Sequence, residues 1–172
     1  MTTNAQHIPA PGELVVACDG SCLSNPDGPT GWAWAAQDGR AAYGGLESGT
    51  NNIGELLAVL AVLRDFPHTP LLVQIDSQYA MKAATIWLPG WKAKGWLTAA
   101  GKPIKNPGII KDIDILMMER AARDVPIRFQ WVKGHRTDNA FPLNTEADRL
   151  AGLASARAAT GLTERVDLVS AR

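Results

Sequence analysis

The hydrophobic period of this chain changes near residue 50, and that change constrains the fold more than any other feature. Before it, the apolar residues run in short extended stretches. Leu14-Val15-Val16-Ala17-Cys18 reads as a buried strand, and Gly31–Gln37 and Ala41–Leu46 read as two more, joined by the hairpin signal Asp38-Gly39. After it, Ile53, Leu56, Leu57, Leu60 and Leu63 fall at helical spacing, and Pro67 and Pro70 end the helix. Leu71–Ile75 is a strand, followed by a helix from Ser77 to about Thr85, a helix over 109–123, a strand over Ile127–Val132 and an alanine-rich helix over Thr145–Ala159. The order β-β-β-α-β-α-α-β-α predicts an α/β fold. Its five-stranded mixed sheet joins a three-strand antiparallel meander to parallel strands, with helices on both faces.

With 172 residues the chain is expected to form one domain, over residues 13–159. Residues 1–12 read as a flexible lead, and residues 160–172 as a tail without a structural signal. The two cysteines, Cys18 and Cys22, make neither a disulfide framework nor a zinc site. The lead carries no signal-peptide pattern and no apolar run reaches membrane-spanning length, so a reducing, cytoplasmic setting without a membrane partner is expected.

The chemistry begins with acids at element ends. Asp19 follows the first apolar run and Asp76 follows the fourth strand, so parallel pairing of those strands would bring them together beyond the strand ends. Glu55 and Asp148 are expected in the opening turns of the first and last helices. Each has a plainer reading. Asp19-Gly20 reads as a turn, Asn52-x-x-Glu55 as a capping box, Asp76 as a cap on the helix at Ser77, and Asp148 as a solvated helix acid. Taken together, four acids without basic partners would repel one another unless divalent cations neutralised them, and all-oxygen ligands suit Mg²⁺ or Mn²⁺.

Asp19-Gly20-Ser21-Cys22-Leu23-Ser24-Asn25-Pro26, Thr50-Asn51-Asn52-x-x-Glu55, Ile75-Asp76-Ser77-Gln78-Tyr79, Trp131-Val132-Lys133-Gly134-His135 and Asn144-x-x-x-Asp148-x-Leu150-Ala151 follow one another in order. In that succession they resemble the motifs of the type 1 ribonucleases H, and the resemblance covers about residues 13–158. It implies a ribonuclease H-like fold and hydrolysis of the RNA strand of RNA–DNA hybrids, leaving 3′-hydroxyl and 5′-phosphate ends. It also implies two Mg²⁺ ions, with Mn²⁺ as a substitute. Asp19 would bridge both ions, Asp148 would hold the ion that activates water, and Glu55 and Asp76 would hold the ion facing the leaving oxygen. His135 would shuttle a proton or assist product departure. Ile53-Gly54 departs from the family's pattern, in which a basic residue and a methionine often precede the glutamate.

The resemblance also places Cys22, Asn51, Asn52 and Gln78 in the hybrid's minor groove, where the 2′-hydroxyl marks RNA. Asn25 and Thr50 would hold a DNA-strand phosphate. The formal net charge is zero, yet residues 82–111 hold six lysines and no acid, which leaves the remainder acidic. That stretch resembles the family's basic protrusion, with Lys92 and Lys94 expected on phosphates and Trp91 and Trp96 on sugars or bases. Trp87 is expected to be the most core-like of the three tryptophans there. The partner expected is an RNA–DNA hybrid met by a monomer. Two other readings are a DNA-cutting or DNA-joining relative of the same fold and a non-catalytic hybrid-binding module.

Overall fold

The computed structural model, which describes residues 8–134 and 140–169, opens with the expected meander. Strands β1 (Leu14–Cys22), β2 (Gly28–Ala36) and β3 (Arg40–Gly49) pair antiparallel in succession. At the β2–β3 hairpin Gly39 adopts φ 89°, a left-handed conformation open to glycine, and its N–H closes the turn on the Ala36 carbonyl at 3.0 Å. Helix α1 (Asn51–Asp65) then leads to β4 (Leu71–Ile75), which pairs parallel with β1. A continuous helical stretch follows: α2 (Gln78–Lys82), a π-helical turn (Ala83–Trp87) and α3 (Leu88–Ala93). Helix α4 (Pro107–Ala122), strand β5 (Ile127–Trp131) parallel to β4, and α5 (Pro142–Ala158) complete the expected sequence.

One strand was not expected. Strand β6 (Val166–Val169) pairs antiparallel with the outer edge of β3, so the sheet has six strands in the order β5-β4-β1-β2-β3-β6, not five. Four residues interrupted by Asp167 are too short a pattern to mark a strand locally. Tertiary contacts make it one. Arg165 donates to Asp65 at 2.9 Å and to Asp167 at 2.6 Å, and the Thr163 carbonyl accepts from the Gly45 N–H at 3.1 Å.

Alternation along the strands divides two cores. Val16 and Cys18 of β1 and Val73 and Ile75 of β4 face α1, α2 and α4. Ala33 and Ala35 of β2 face α5 through Leu150, Ala151 and Ala154. The expected single stripe on α1 is wider in the structure. Leu56, Ala58, Val59, Leu60, Ala61, Val62 and Leu63 are all buried, because α1 lies between the sheet and α4. The described part of the lead is also tied down. Arg128 of β5 donates to Glu13 Oε1 at 2.7 Å and to the Ile8 carbonyl at 3.1 Å. No helix of the described residues is long and apolar enough to cross a membrane.

Candidate active site

Parallel pairing of β1 and β4 ends at Cys18 opposite Ile75, so the next residues, Asp19 and Asp76, flank the crevice where the strands stop pairing. Asp19 is not past its strand, as expected, but inside it, because β1 runs on to Cys22 against β2. Glu55 reaches the same point from α1. Its approach depends on two glycines: a Cβ on Gly20 would collide with the backbone of Gly54 and Glu55, and one on Gly54 would come within 2.7 Å of the Gly31 carbonyl. The departure Ile53-Gly54 is thus the half of this contact that α1 contributes.

Asp19, Glu55 and Asp76 each bring one carboxylate oxygen within 4.8 Å of the other two. Asp19 is 4% exposed, and Glu55 Oε2 is buried without a hydrogen-bond partner. Burial, then repulsion from Asp76, pushes the Asp19 carboxyl up to about 8, against the pull of the Gly20 N–H 2.7 Å from Oδ1. Burial and the charge of Asp19 push Glu55 well above the usual carboxylate range. Acids gathered where each disfavours the other's charge, one with an orphaned buried oxygen, fit a divalent cation bound through oxygen.

The β5 end frames Asp76. The Trp131 indole donates to the Asp76 carbonyl at 3.0 Å, and Gly134 lies so close to the Asp76 carboxylate that any Cβ there would strike Oδ2. Asp76 does not cap the following helix; Ser77 does, accepting from the Ala80 N–H at 3.1 Å. No capping box forms at Asn52 either. Thr50 is the N-cap of α1, and its hydroxyl accepts from the Ile53 N–H at 3.2 Å. Glu55 therefore lies beyond the first turn. So does Asp148, because α5 begins three residues earlier than expected, at Pro142. Asp148 stands outside the tight trio of the described residues but acts on it, since its charge helps raise Asp19. His135 lies outside the described residues.

The raised Asp19 value gives a pH prediction. Its unfolded value is about 3.9, so between roughly pH 4 and 8 the metal-free native state holds a proton that the unfolded chain has released. Metal-free stability should fall as pH rises through this window, by at most about 1.4 kcal/mol per pH unit for each such proton. Divalent cation, binding the ionised acids, should flatten that slope. Urea midpoints from pH 5 to 8, in chelator and in excess Mg²⁺, measure it. Equal slopes in both series would refute it.

The residues expected to contact substrate differ in exposure and in their partners. Asn51, Asn52 and Gln78 are exposed, and Gln78 accepts from Lys82 at 3.4 Å. Cys22 is half-buried, its thiol 3.6 Å from the Gly28 and Gly49 carbonyls. Asn25 Oδ1 accepts from the Asn51 N–H at 3.2 Å, so it braces the start of α1. The tryptophans reverse the expected ranking. Trp87 is 37% exposed, whereas Trp91 and Trp96 pack against the core. The π-helical turn ends at Trp87, which lies 5.5 Å from Trp91 and 6.0 Å from Tyr79 between ring centroids. Lys94 is exposed, but Lys92 is ion-paired with Asp114 at 2.8 Å. Sequence reasoning missed Asp114. Its signal was an acid set among Ile110, Ile113 and Met117 on the inward side of α4.

The family profile described as RNase H matches residues 11–156. A Streptomyces coelicolor protein named Ribonuclease HI is 46% identical over 147 residues, covering 82% of this chain and 61% of the relative; the chain thus spans about three fifths of that protein's length. A Tropheryma whipplei protein named Ribonuclease H is 43% identical over 141 residues, covering 81% of this chain and 82% of the relative. Among solved structures, the crystal structure of a type 1 RNase H with the type 2 active-site motif superposes with a TM-score of 0.70 at 24% identity, covering 94% of this chain and 79% of that one, a likeness of fold. Because the profile spans residues 11–156, most of the chain and all four acids, the chain belongs to the RNase H family.

Proposed function

We propose that the protein hydrolyses the RNA strand of RNA–DNA hybrids, leaving 3′-hydroxyl and 5′-phosphate ends. The observation that carries this reading is the Asp19–Glu55–Asp76 trio, with its mutual repulsion and the orphaned Glu55 oxygen. Two Mg²⁺ ions, or Mn²⁺ in their place, supply Lewis acidity toward the phosphate and toward the attacking water. Asp19 would serve both ions, Glu55 and Asp76 would hold the one facing the leaving oxygen, and Asp148 would hold the one that activates water. Water adds to phosphorus, the bond to the 3′ oxygen breaks, and that oxygen takes up a proton. His135 is the group for proton transfer or product departure.

Cys22, Asn51, Asn52 and Gln78 meet the minor groove and read the 2′-hydroxyl, while Asn25 and Thr50 hold a DNA phosphate. The arm from Lys82 to Lys111, with Trp91 and Trp96, grips the DNA strand. These contacts reach sugar and phosphate, so base-sequence preference is slight. The protein works as a cytoplasmic monomer.

The test is cleavage of an end-labelled hybrid beside matched double-stranded DNA and double-stranded RNA, in Mg²⁺ and in Mn²⁺. Metal-dependent cutting confined to the RNA strand of the hybrid is expected. Cutting of DNA, or intact hybrid in both metals, would overturn the reading.

A further inference from the structure

The lysines of residues 82–111 differ in their partners more than in exposure, since Lys92, like Lys94, Lys102 and Lys105, is exposed. Lys92 Nζ lies 2.8 Å from Asp114 Oδ2, and Asp114 is 7% exposed. A carboxylate that deep in the protein is costly without a cation beside it. Helix α3 is otherwise held by Leu88, its one fully buried residue, and by Trp91 packed against the core. A second cation crosses in the opposite direction: Lys111 of α4 sits 5.4 Å from the centre of the Trp96 ring, on the arm. Within the arm, the Trp96 N–H bonds to the Trp91 carbonyl at 2.6 Å, the Ile104 N–H bonds to the Trp96 carbonyl at 3.1 Å, and Leu97 bridges Pro103. The arm is thus one tied unit, pinned to α4 at two points. Lys94, Lys102 and Lys105 stand exposed on it, with no ion pair among the described residues.

We propose that Lys92 and Asp114 are positioning residues that fix the arm's angle on α4, and that contact with the phosphodiester backbone falls to Lys94, Lys102 and Lys105. The inference rests on the hybrid-gripping role given to the arm above. It divides the basic residues into two kinds that a salt titration separates. A lysine on a phosphate displaces a counterion and contributes to the salt slope of binding; a lysine paired with Asp114 does not.

Hybrid binding by the full chain is measured by fluorescence anisotropy in chelator, across a range of salt concentrations. Lys94→Ala should lower the slope of log K against log salt by about one. Lys92→Met, which keeps the apolar stem, should weaken binding several-fold at unchanged slope, and Lys92→Arg should restore it. Asp114→Asn gives a test of sign. Removing an acid near a polyanion would by charge alone tighten binding, whereas loss of the arm's anchor should weaken it. A fall of about one in the Lys92→Met slope, or tighter binding by Asp114→Asn, would overturn the inference while hybrid binding stands. A wild-type chain that binds no hybrid at any salt would overturn the functional reading, and this inference with it.

Discussion

Asp19→Asn is expected to cut hybrid cleavage by about a thousandfold or more, the loss of several kcal/mol of transition-state stabilisation, while making the metal-free fold more stable. The two effects have one source. Asp19 is buried beside Asp76 and Glu55, and its carboxyl is pushed up to about 8. At neutral pH the metal-free protein holds Asp19 protonated, and taking up that proton, which the unfolded chain releases at this pH, costs stability. The amide keeps the shape and still accepts from the Gly20 N–H, which lies 2.7 Å from Oδ1. It carries no charge to repel and none to bind a cation. A stability gain on the order of 1–2 kcal/mol at pH 7, without metal, should show as a raised urea midpoint. Cleavage by the variant within tenfold of wild type would remove Asp19 from the metal site. Lost activity with lowered stability would mean that the residue acts through the fold.

Gly20→Ala is expected to be severely destabilising, at about 3 kcal/mol or more. The added methyl group meets the backbone of Gly54 and Glu55, which has no rotamer with which to give way. Either the fold fails, or α1 moves off β1 and carries the Glu55 carboxylate away from Asp19. Denaturation midpoints measure the first outcome, and Mn²⁺ titration of the folded fraction the second. Gly54→Ala should follow in the same direction with a smaller effect, since its closest contact is the Gly31 carbonyl at 2.7 Å. A Gly20→Ala protein within 0.5 kcal/mol of wild type would show that the two glycines do not set the approach of α1.

Reading the sequence worked best where the signal is local. The 71–75 strand has the expected bounds, because an apolar run broken by Gln74 alone, between Pro70 and Asp76, leaves little choice. It failed where a distant partner decides. Thr50, not Asn52, caps α1, since the N-cap depends on which residue first leaves the extended conformation. Trp87 is exposed and Trp91 packed because a π-helical turn rotates the residues around it, an effect invisible to a 3.6-residue period. The lysine count of the arm was plain in the sequence, but the use of Lys92 was not, because Asp114 lies 22 positions away on another helix.

By itself the sequence determined the identities and order of the four acids, the motif set around them and the switch from meander to crossovers. Each is a property of neighbouring residues or of a repeat a few residues long. Tertiary structure decided the sixth strand, the Gly20–Gly54 contact, the tight trio of Asp19, Glu55 and Asp76, and the pairing of Lys92 with Asp114. Those features are distances between segments far apart in the chain. They exist because packing forces backbones and charges together at spacings that no local pattern encodes.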